Sequence, residues 1–508
     1  MHIETDIAIV GTGFAGIGMA IRLQQAGIRD FVLLEKGSTV GGTWRDNVYP
    51  GAACDVQSHL YSFSFAPNPD WSRKFAPQEE ILDYLERVTD EHDIRPRIRF
   101  DAAVREARYD ARRGLWHIET TRDTIVARVM VLGSGAFNKP ALPSIRGIEG
   151  FQGDLFHTAQ WDKRADLAGK RVAVIGTGAS AVQVVPELAR SAGKLSLFQR
   201  TPPWIMPKHN PAYTDAQKAR FRDSKLARLA ERGTIYARNE LFALGFIGDS
   251  RIMKIGEKIA LRYLHKVIRD PALRAKLTPQ YRMGCKRVLL SSDYLPALTR
   301  ENVEVVTDGI QEVRANAIVT RDGRTHEVDA LVLATGFQVA ENVAPFPIFG
   351  RDGRSLDAHW AQGAEAFKGS VVKGFPNAFF IVGPNTGLGH SSMVLMIEAQ
   401  IGYALAGIEL LRGEQLRAME VLPEVQDAYN TWLQQRMSRT VWQRGGCVSY
   451  YQTSSGKNTT LWPGFTFEFM ARLRKLDRAD FKLEQRIEAV RTPGSDTPTA
   501  RLAPDAAE

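Results

Sequence analysis

The sequence predicts an α/β protein with two Rossmann-like dinucleotide-binding domains and a mainly helical insertion. Three observations carry this: a glycine-rich turn between a strand and a helix near the N-terminus, a second copy 165 residues later, and a long charged stretch with periodic Leu, Ile and Phe beyond it. The 508 residues are 44% hydrophobic and 24% charged, enough for two or three domains with a large core. That composition excludes extensive disorder and a small disulfide scaffold.

The first unit opens with the apolar run Asp6–Val10, which meets Gly11-Thr12-Gly13-Phe14-Ala15-Gly16. A helix to about Ala26 and a strand ending at Glu35 complete it. Gly11 permits the tight turn, Gly13 lets the backbone approach a pyrophosphate, and Gly16 lets helix and strand pack closely. Phe14 and Ala15 begin the helix whose unpaired N–H groups favour phosphate. Glu35, 24 residues after Gly11 and followed by Lys36, can accept hydrogen bonds from ribose hydroxyls.

The second unit repeats the grammar: Arg171–Ile175, then Gly176-Thr177-Gly178-Ala179-Ser180-Ala181, a helix toward Ala192 with a kink at Pro186, and a strand ending at Arg200. Arg200 occupies the position of Glu35 and is followed by Thr201. A carboxylate there would repel a 2′-phosphate, whereas a guanidinium binds one with paired donors. The first site therefore favours an unphosphorylated ribose and the second NADPH, and a flavin with NADPH is the economical combination. A ligand-free glycine turn and a solvated strand-end arginine are the bland alternatives.

The expected layout is a flavin domain from 1–145 and 331–490, an NADP domain from 146–210 and 281–330, a helical insertion at 211–280, and a disordered tail at 491–508. The segments VEVV, AIVT and DALVLATGF read as strands returning to a nucleotide domain. Another strand, Ala378–Asn385, precedes a helix around Met393–Leu411. Sixty-six basic against 57 acidic residues give +9, scattered along the chain, which suits a solvated surface or an anionic cofactor and not nucleic acid. Cys54, Cys285 and Cys447 stand far apart, with no CxxC pair and no metal-ligand spacing, which points to the cytoplasm. No run approaches the roughly 18 apolar residues of a membrane span, and the N-terminus enters a strand at once, leaving no room for a signal peptide.

Further motifs lie in order along the chain. Phe151-Gln-Gly153-Asp-Leu-Phe-His157-Thr-Ala-Gln-Trp161-Asp162 stands between the two units. Gly41-Gly42-Thr43-Trp44, Tyr49-Pro50-Gly51 and Asp55 lie upstream; Gly284-Cys285-Lys286-Arg287 and Ala334-Thr335-Gly336 lie downstream. Over about residues 5 to 465 the chain resembles the type I (class B) flavin-dependent Baeyer–Villiger monooxygenases. The resemblance implies a cytoplasmic oxidoreductase (EC 1.14.13.-) using FAD, NADPH, O2 and a small-molecule ketone. NADPH reduces the flavin, O2 gives a C4a-peroxide, and its anion attacks the ketone to yield an ester or lactone.

On the same resemblance Arg287 is the catalytic cation and Asp55 the carboxylate that fixes it. Arginine suits the task because it stays protonated at any relevant pH. Lys286 would reach the NADP phosphate or ribose if the pair lies on an extended segment, where neighbours point opposite ways. Gly42, Thr43, Trp44, Cys54, Tyr61 and Val104 match flavin positions. Ala53 stands where the family commonly has an arginine, and Tyr450 where it has a tryptophan that contacts NADP. Phe151, Gly153, His157, Trp161 and Asp162 form the fingerprint, read as a hinge that couples domain motion to turnover. Lys457-Asn458 and Trp462-Pro463-Gly464 resemble members acting on aryl or acyclic ketones. The alternative is a heteroatom-oxidising flavin monooxygenase; a disulfide reductase would need a cysteine pair beside the flavin, which the spacing does not offer.

Overall fold

The computed structural model describes residues 2–248, 250–340 and 344–486; the expected tail at 491–508 lies outside the described residues. The first sheet is built on β1 (His2–Val10), β2 (Phe31–Leu34), β3 (Ile98–Arg99), β4 (Val104–Asp110), β5 (Leu115–Thr120) and β6 (Thr124–Leu132). Strand Ile348–Phe349 extends it beyond β4, and Ala378–Phe380 pairs with β6. Parallel neighbours flank β1, with Ile7 opposite Phe31 on one side and Val129 on the other. Ile7, Ile9, Leu33 and Val131 are fully buried, as a parallel sheet covered on both faces requires. The strand expected over Ala378–Asn385 stops at Phe380, where Val382 (φ 65°) and Asn385 (φ 55°) take left-handed backbone that no strand continues through.

Three helices follow the first strands: α1 (Phe14–Gln25), the single turn α2 (Thr43–Asp46), and α3 (Gln78–Glu91). α1 is crossed closely by the helix Met393–Gly413; a Cβ on Gly18 would lie 2.8 Å from Ile401 Cδ1. Among the described residues this helix, expected from the sequence around Met393–Leu411, alone is long and apolar enough to cross a membrane, whereas the sequence offered no apolar run of that length. Most of it is buried in the core against α1 and the first sheet, which accounts for its composition.

The second sheet has the order Val303–Val306, β9 (Lys194–Phe198), β8 (Arg171–Ile175), Ala330–Leu333, β7 (Asp154–His157), all parallel. Its helix α4 (Ala179–Ser191) runs on through Pro186. Two expectations are corrected here. Ala330–Leu333 pairs with β7 and β8, so this half of the chain extends past residue 330. AIVT (Ala317–Thr320) pairs instead with Ile310–Arg314 and Thr325–Glu327 in a separate antiparallel sheet; an apolar run specifies burial but not which sheet it joins.

The insertion is helical as expected: α5 (Asp215–Asp223), α6 (Lys225–Ile247), α7 (Ser250–Val267) and α8 (Pro271–Leu277). Local sequence starts these helices. Thr214 and Gln217 form a reciprocal capping box, Ser224 caps α6, and Asp270 with Pro271 opens α8. The lower end of α6 packs on the C-terminal part of the chain, where Phe246 stacks on Trp442 with ring centroids 5.6 Å apart and the Glu240 carboxylate accepts the Thr466 N–H.

Candidate cofactor and active site

The first glycine turn has the shape its residues demand. Gly11 has φ +95°, and a Cβ there would sit 2.8 Å from the Gly133 carbonyl oxygen. A Cβ on Gly16 would fall 1.9 Å from the Gly11 oxygen, so helix and turn touch through backbone alone. Gly13 faces Gly42: a Cβ on Gly42 would lie 3.1 Å from the Gly13 Cα. Two bare backbones thus line the approach to the start of α1, which has neither a side-chain cap nor an acidic residue in its first turn. That N-terminus keeps its N–H groups and partial positive charge for an anion, so these residues fit a dinucleotide pyrophosphate.

Glu35 is 2% exposed and already holds four donors. Thr12 N–H and Oγ1 reach Oε2 at 3.1 and 2.6 Å; Gly37 N–H and Arg45 Nη1 reach Oε1 at 2.8 and 2.6 Å. A ribose hydroxyl would have to displace one of them. Lys36 is exposed and pairs with Asp46 at 3.5 Å. Thr43 and Trp44 form α2; the Trp44 indole donates to the Tyr61 hydroxyl at 3.3 Å, and Tyr61 in turn packs edge-on against Phe14 with centroids 5.2 Å apart. Trp44, Tyr61, Phe14 and Ala15 therefore form one aromatic-walled cluster at the α1 N-terminus. Val104, partly buried, begins β4 on the far side of the sheet.

The second turn repeats the geometry. Gly176 has φ +118°, and a Cβ there would meet the Ala334 oxygen at 2.3 Å, while nothing stands near a Cβ on Gly178. α4 again starts with no side-chain cap and no acid in its first turn, over Ala179, Ser180 and the fully buried Ala181. The Thr177 hydroxyl donates to the Thr201 carbonyl at 2.9 Å, tying the turn to the segment after β9. Arg200 is exposed there, and it pushes the half-buried Lys286 ammonium below its usual range, after burial itself. Two cations that repel each other at the end of β9 make an anion site suited to a ribose phosphate.

The motif Tyr49-Pro50-Gly51 joins the two halves. Its Gly51 (φ +81°) leaves no room for a Cβ, 2.6 Å from the Gln183 oxygen on α4. The Tyr49 hydroxyl donates to Gln183 Oε1 at 2.7 Å, and the Gln183 amide donates to the Ala53 carbonyl at 2.8 Å. Burial pushes the Tyr49 hydroxyl up to about 12, so it remains a donor.

Just beyond lie the expected catalytic residues. Arg287 Nε and Nη2 reach the same Asp55 oxygen, Oδ2, at 2.8 and 2.7 Å, and Nη1 points to the Leu388 carbonyl at 3.5 Å. The Asp55 charge holds the guanidinium above even its usual range, and Tyr450 and Tyr451 lie within electrostatic reach of it. Lys286 and Arg287 do diverge, although the segment is a pair of bends and not a strand: Lys286 lies over the Tyr281 ring at 5.3 Å. Lys208, which no motif marked, donates to the Cys54 carbonyl at 3.1 Å; burial lowers its ammonium, and Asp55 partly restores it. Cys54 is buried with its thiol pushed up to about 12. Tyr450 is 45% exposed and rests on Tyr451, hydroxyl to hydroxyl at 3.2 Å.

The cysteine reading is corrected. Cys285 and Cys447, 162 residues apart in sequence, form a disulfide. Spacing along the chain could not reveal it, because the bend before Arg287 and the C-terminal segment meet only through the tertiary fold.

The fingerprint forms the edge of the second sheet. Gly153 leaves 2.2 Å between a Cβ and the Asp329 oxygen, and Phe151 packs on the small core beneath. His157 ends β7, 2% exposed, its ring edge-on to Phe337 at 5.8 Å and its Nδ1 accepting the Ala159 N–H. Trp161 packs on Phe156, and Asp162 stands exposed, paired with Arg164. Phe337 itself bridges Pro140, so the two crossings between the sheets run side by side beneath His157. Lys457, Asn458 and Trp462 hold the C-terminal fold: Lys457 pairs with Glu365, the Asn458 carbonyl accepts from Asn385, and the Trp462 indole donates to the Phe465 carbonyl.

A family model described as pyridine nucleotide-disulphide oxidoreductase matches residues 8–223; the disulfide found here lies outside that span. The chain is 48% identical over 479 residues to a Baeyer-Villiger monooxygenase of Pseudomonas aeruginosa, covering 94% of this chain and 91% of that protein. Among solved structures it is similar to closed cyclohexanone monooxygenase (TM-score 0.86, 28% identity, 96% and 100% of the two chains). It is also similar to OTEMO in complex with FAD and NADP (TM-score 0.85, 26% identity, 94% and 99%).

Proposed function

This chain belongs to the Baeyer–Villiger monooxygenases, and from that premise we propose that Arg287, held by Asp55, is the charge on which its reaction turns. It is an FAD- and NADPH-dependent enzyme. The overall reaction is ketone + O2 + NADPH + H+ → ester or lactone + H2O + NADP+. Bound FAD, reduced by NADPH, supplies the activated oxygen.

The residues of this chain supply binding, orientation and charge. The α1 turn at Gly11, Gly13 and Gly16 holds the flavin dinucleotide, with Gly42, Thr43, Trp44 and Tyr61 beside it. The α4 turn at Gly176 and Gly178 holds NADPH, and Arg200 with Lys286 takes the 2′-phosphate. Residues 1–145 and the chain beyond about 333 serve the flavin, and the second sheet serves NADPH. Arg287 stabilises negative charge as it develops on oxygen during insertion, in a site where a fixed cation is worth more than in water. Asp55 aims the guanidinium by accepting from two of its nitrogens on one oxygen, and it offsets the charge of Lys208 as well. Around this pair an apolar cluster, including Trp204, Phe246, Met253, Trp442 and Leu461, keeps out water that would compete for the charged oxygen. The paired crossings under His157 are the hinge between the sheets. The enzyme works in the cytoplasm on a small ketone.

The observation that carries this reading is the pairing of two Arg287 nitrogens with one Asp55 oxygen, with the uncapped start of α1 and the Arg200–Lys286 cation pair beside it. The test is purified yellow enzyme, NADPH and a panel of cyclic, aryl and long-chain ketones plus a thioether. The expected product is an ester or lactone, heavier than the ketone supplied by one oxygen atom and formed by migration of carbon to oxygen. Oxidation of the thioether with every ketone left unchanged would contradict it.

The flavin assignment has its own test. Gly16→Ala forces a Cβ into the Gly11 carbonyl, at a cost of about 3 kcal/mol of strain. FAD affinity is expected to fall roughly a hundredfold, measured by flavin fluorescence. Gly402→Ala, with nothing within 4 Å of its Cβ, is expected to bind FAD normally.

A further inference from the structure

We propose that Cys285 and Cys447 are a thiol–disulfide modification site that latches the C-terminal segment against the Arg287 centre, opened by a dithiol and closed by a peroxide. The proposal rests on the role given to Arg287 above. Cys285 is fully buried two residues before Arg287, and Cys447 is partly buried three residues before Tyr450. The two segments meet over a short stretch: the Arg282 N–H donates to the Gly445 carbonyl at 3.0 Å, and a Cβ on Gly445 would lie 2.5 Å from the Cys285 Cβ. The disulfide, with Cα atoms 6.1 Å apart, is the covalent member of this contact. Through it Tyr450 and Tyr451 are held within electrostatic reach of Arg287.

Access and reactivity are unequal among the three cysteines. Gly446 (φ +73°) and Val448, 87% exposed, present Cys447 at the surface. Arg282, Lys286, Arg287 and Arg444 all lie within three residues of one cysteine or the other, and nearby cations favour thiolate and so fast exchange. Cys54 is the built-in contrast: buried, with its thiol pushed up to about 12, it stays protonated and inert. In a cytoplasmic chain a disulfide is a switch more often than a staple.

The chemistry balances without a cofactor. A dithiol attacks the Cys447 sulfur, Cys285 leaves as the thiol, and the second dithiol sulfur closes its own ring and releases Cys447. Closing consumes one peroxide: two thiols and H2O2 give the disulfide and two waters, with the O–O bond reduced.

The experiment uses FAD-bound enzyme, treated either with one equivalent of hydrogen peroxide or with dithiothreitol that is then removed. Thiol titration after unfolding is expected to count one thiol in the first form and three in the second. Opening the latch is expected to raise the KM for NADPH by roughly fivefold or more, as for a modest coupling between sites. It also raises the share of NADPH electrons released as free peroxide, while flavin reduction at saturating NADPH keeps its rate. Peroxide treatment of the reduced form must restore the original values, a rescue that mere structural damage would not allow. Cys447→Ser is expected to behave as the reduced form and to ignore both reagents. Three thiols after peroxide treatment, or two redox forms with the same KM and peroxide release, would overturn the proposal. Because thiol count and KM for NADPH need no ketone, they separate failure of the latch from failure of the assigned reaction.

Discussion

Arg287→Ala is expected to make no measurable ester from a ketone that the parent enzyme converts, while NADPH still bleaches its flavin. The guanidinium is fixed by two donors to one Asp55 oxygen and is held charged by that carboxylate. A charge set in advance needs no reorganisation when charge develops on the reacting oxygen, and removing such a group typically costs about 100- to 1,000-fold in kcat. Flavin reduction depends on the NADPH site and leaves Arg287 out, so stopped-flow bleaching is expected to stay within about threefold of the parent, an effect well under 1.4 kcal/mol. Arg287→Lys keeps the charge but cannot span Asp55 Oδ2 and the Leu388 carbonyl together, and an intermediate ester yield is expected. Normal ester yield from the alanine variant would remove Arg287 from the chemistry.

The second large effect concerns choice of reductant. Arg200→Ala is expected to raise the KM for NADPH by roughly 10- to 150-fold, the value of a charged hydrogen bond of about 1.5–3 kcal/mol, and to leave NADH almost unchanged. Arg200 and Lys286 repel each other in the unliganded chain, and a phosphate dianion between them relieves that repulsion as it binds. Lys286→Ala is therefore expected to act in the same direction, and the double variant to lose less than the sum of the two. Steady-state kinetics with both nucleotides checks this; equal loss with NADH would place the phosphate elsewhere.

Legibility in the sequence followed the range of each constraint. The turns at Gly11–Gly16 and Gly176–Ala181 were readable because a tight turn, a close helix and a bare N-terminus are set by residues next to one another. Asp55 and Arg287, 232 residues apart, were found only through motif resemblance; nothing local joins them. Lys208 and Gln183 were missed because their partners, the Cys54 carbonyl for one and the Ala53 carbonyl and Tyr49 hydroxyl for the other, lie more than a hundred residues away in the chain. Glu35 was read as an acceptor for ribose hydroxyls, and its four protein donors were not legible because they depend on where Thr12, Gly37 and Arg45 fall in space. AIVT was read as a strand, which it is, but its place in a separate antiparallel sheet was not legible, since an apolar run carries no partner information. The helix Met393–Gly413 was read close to its bounds, but its overall apolarity was not, because interspersed Gly, Gln and Glu interrupt its hydrophobic run. Cys285 and Cys447 show the same limit at its greatest reach.

A crystal structure of the holoenzyme with FAD and NADP+ bound tests the central electrostatic claim most directly. The guanidinium of Arg287 is expected in contact with the isoalloxazine edge, still paired with Asp55, with Arg200 and Lys286 on the 2′-phosphate. A guanidinium turned to solvent, with Asp55 paired elsewhere, would contradict it.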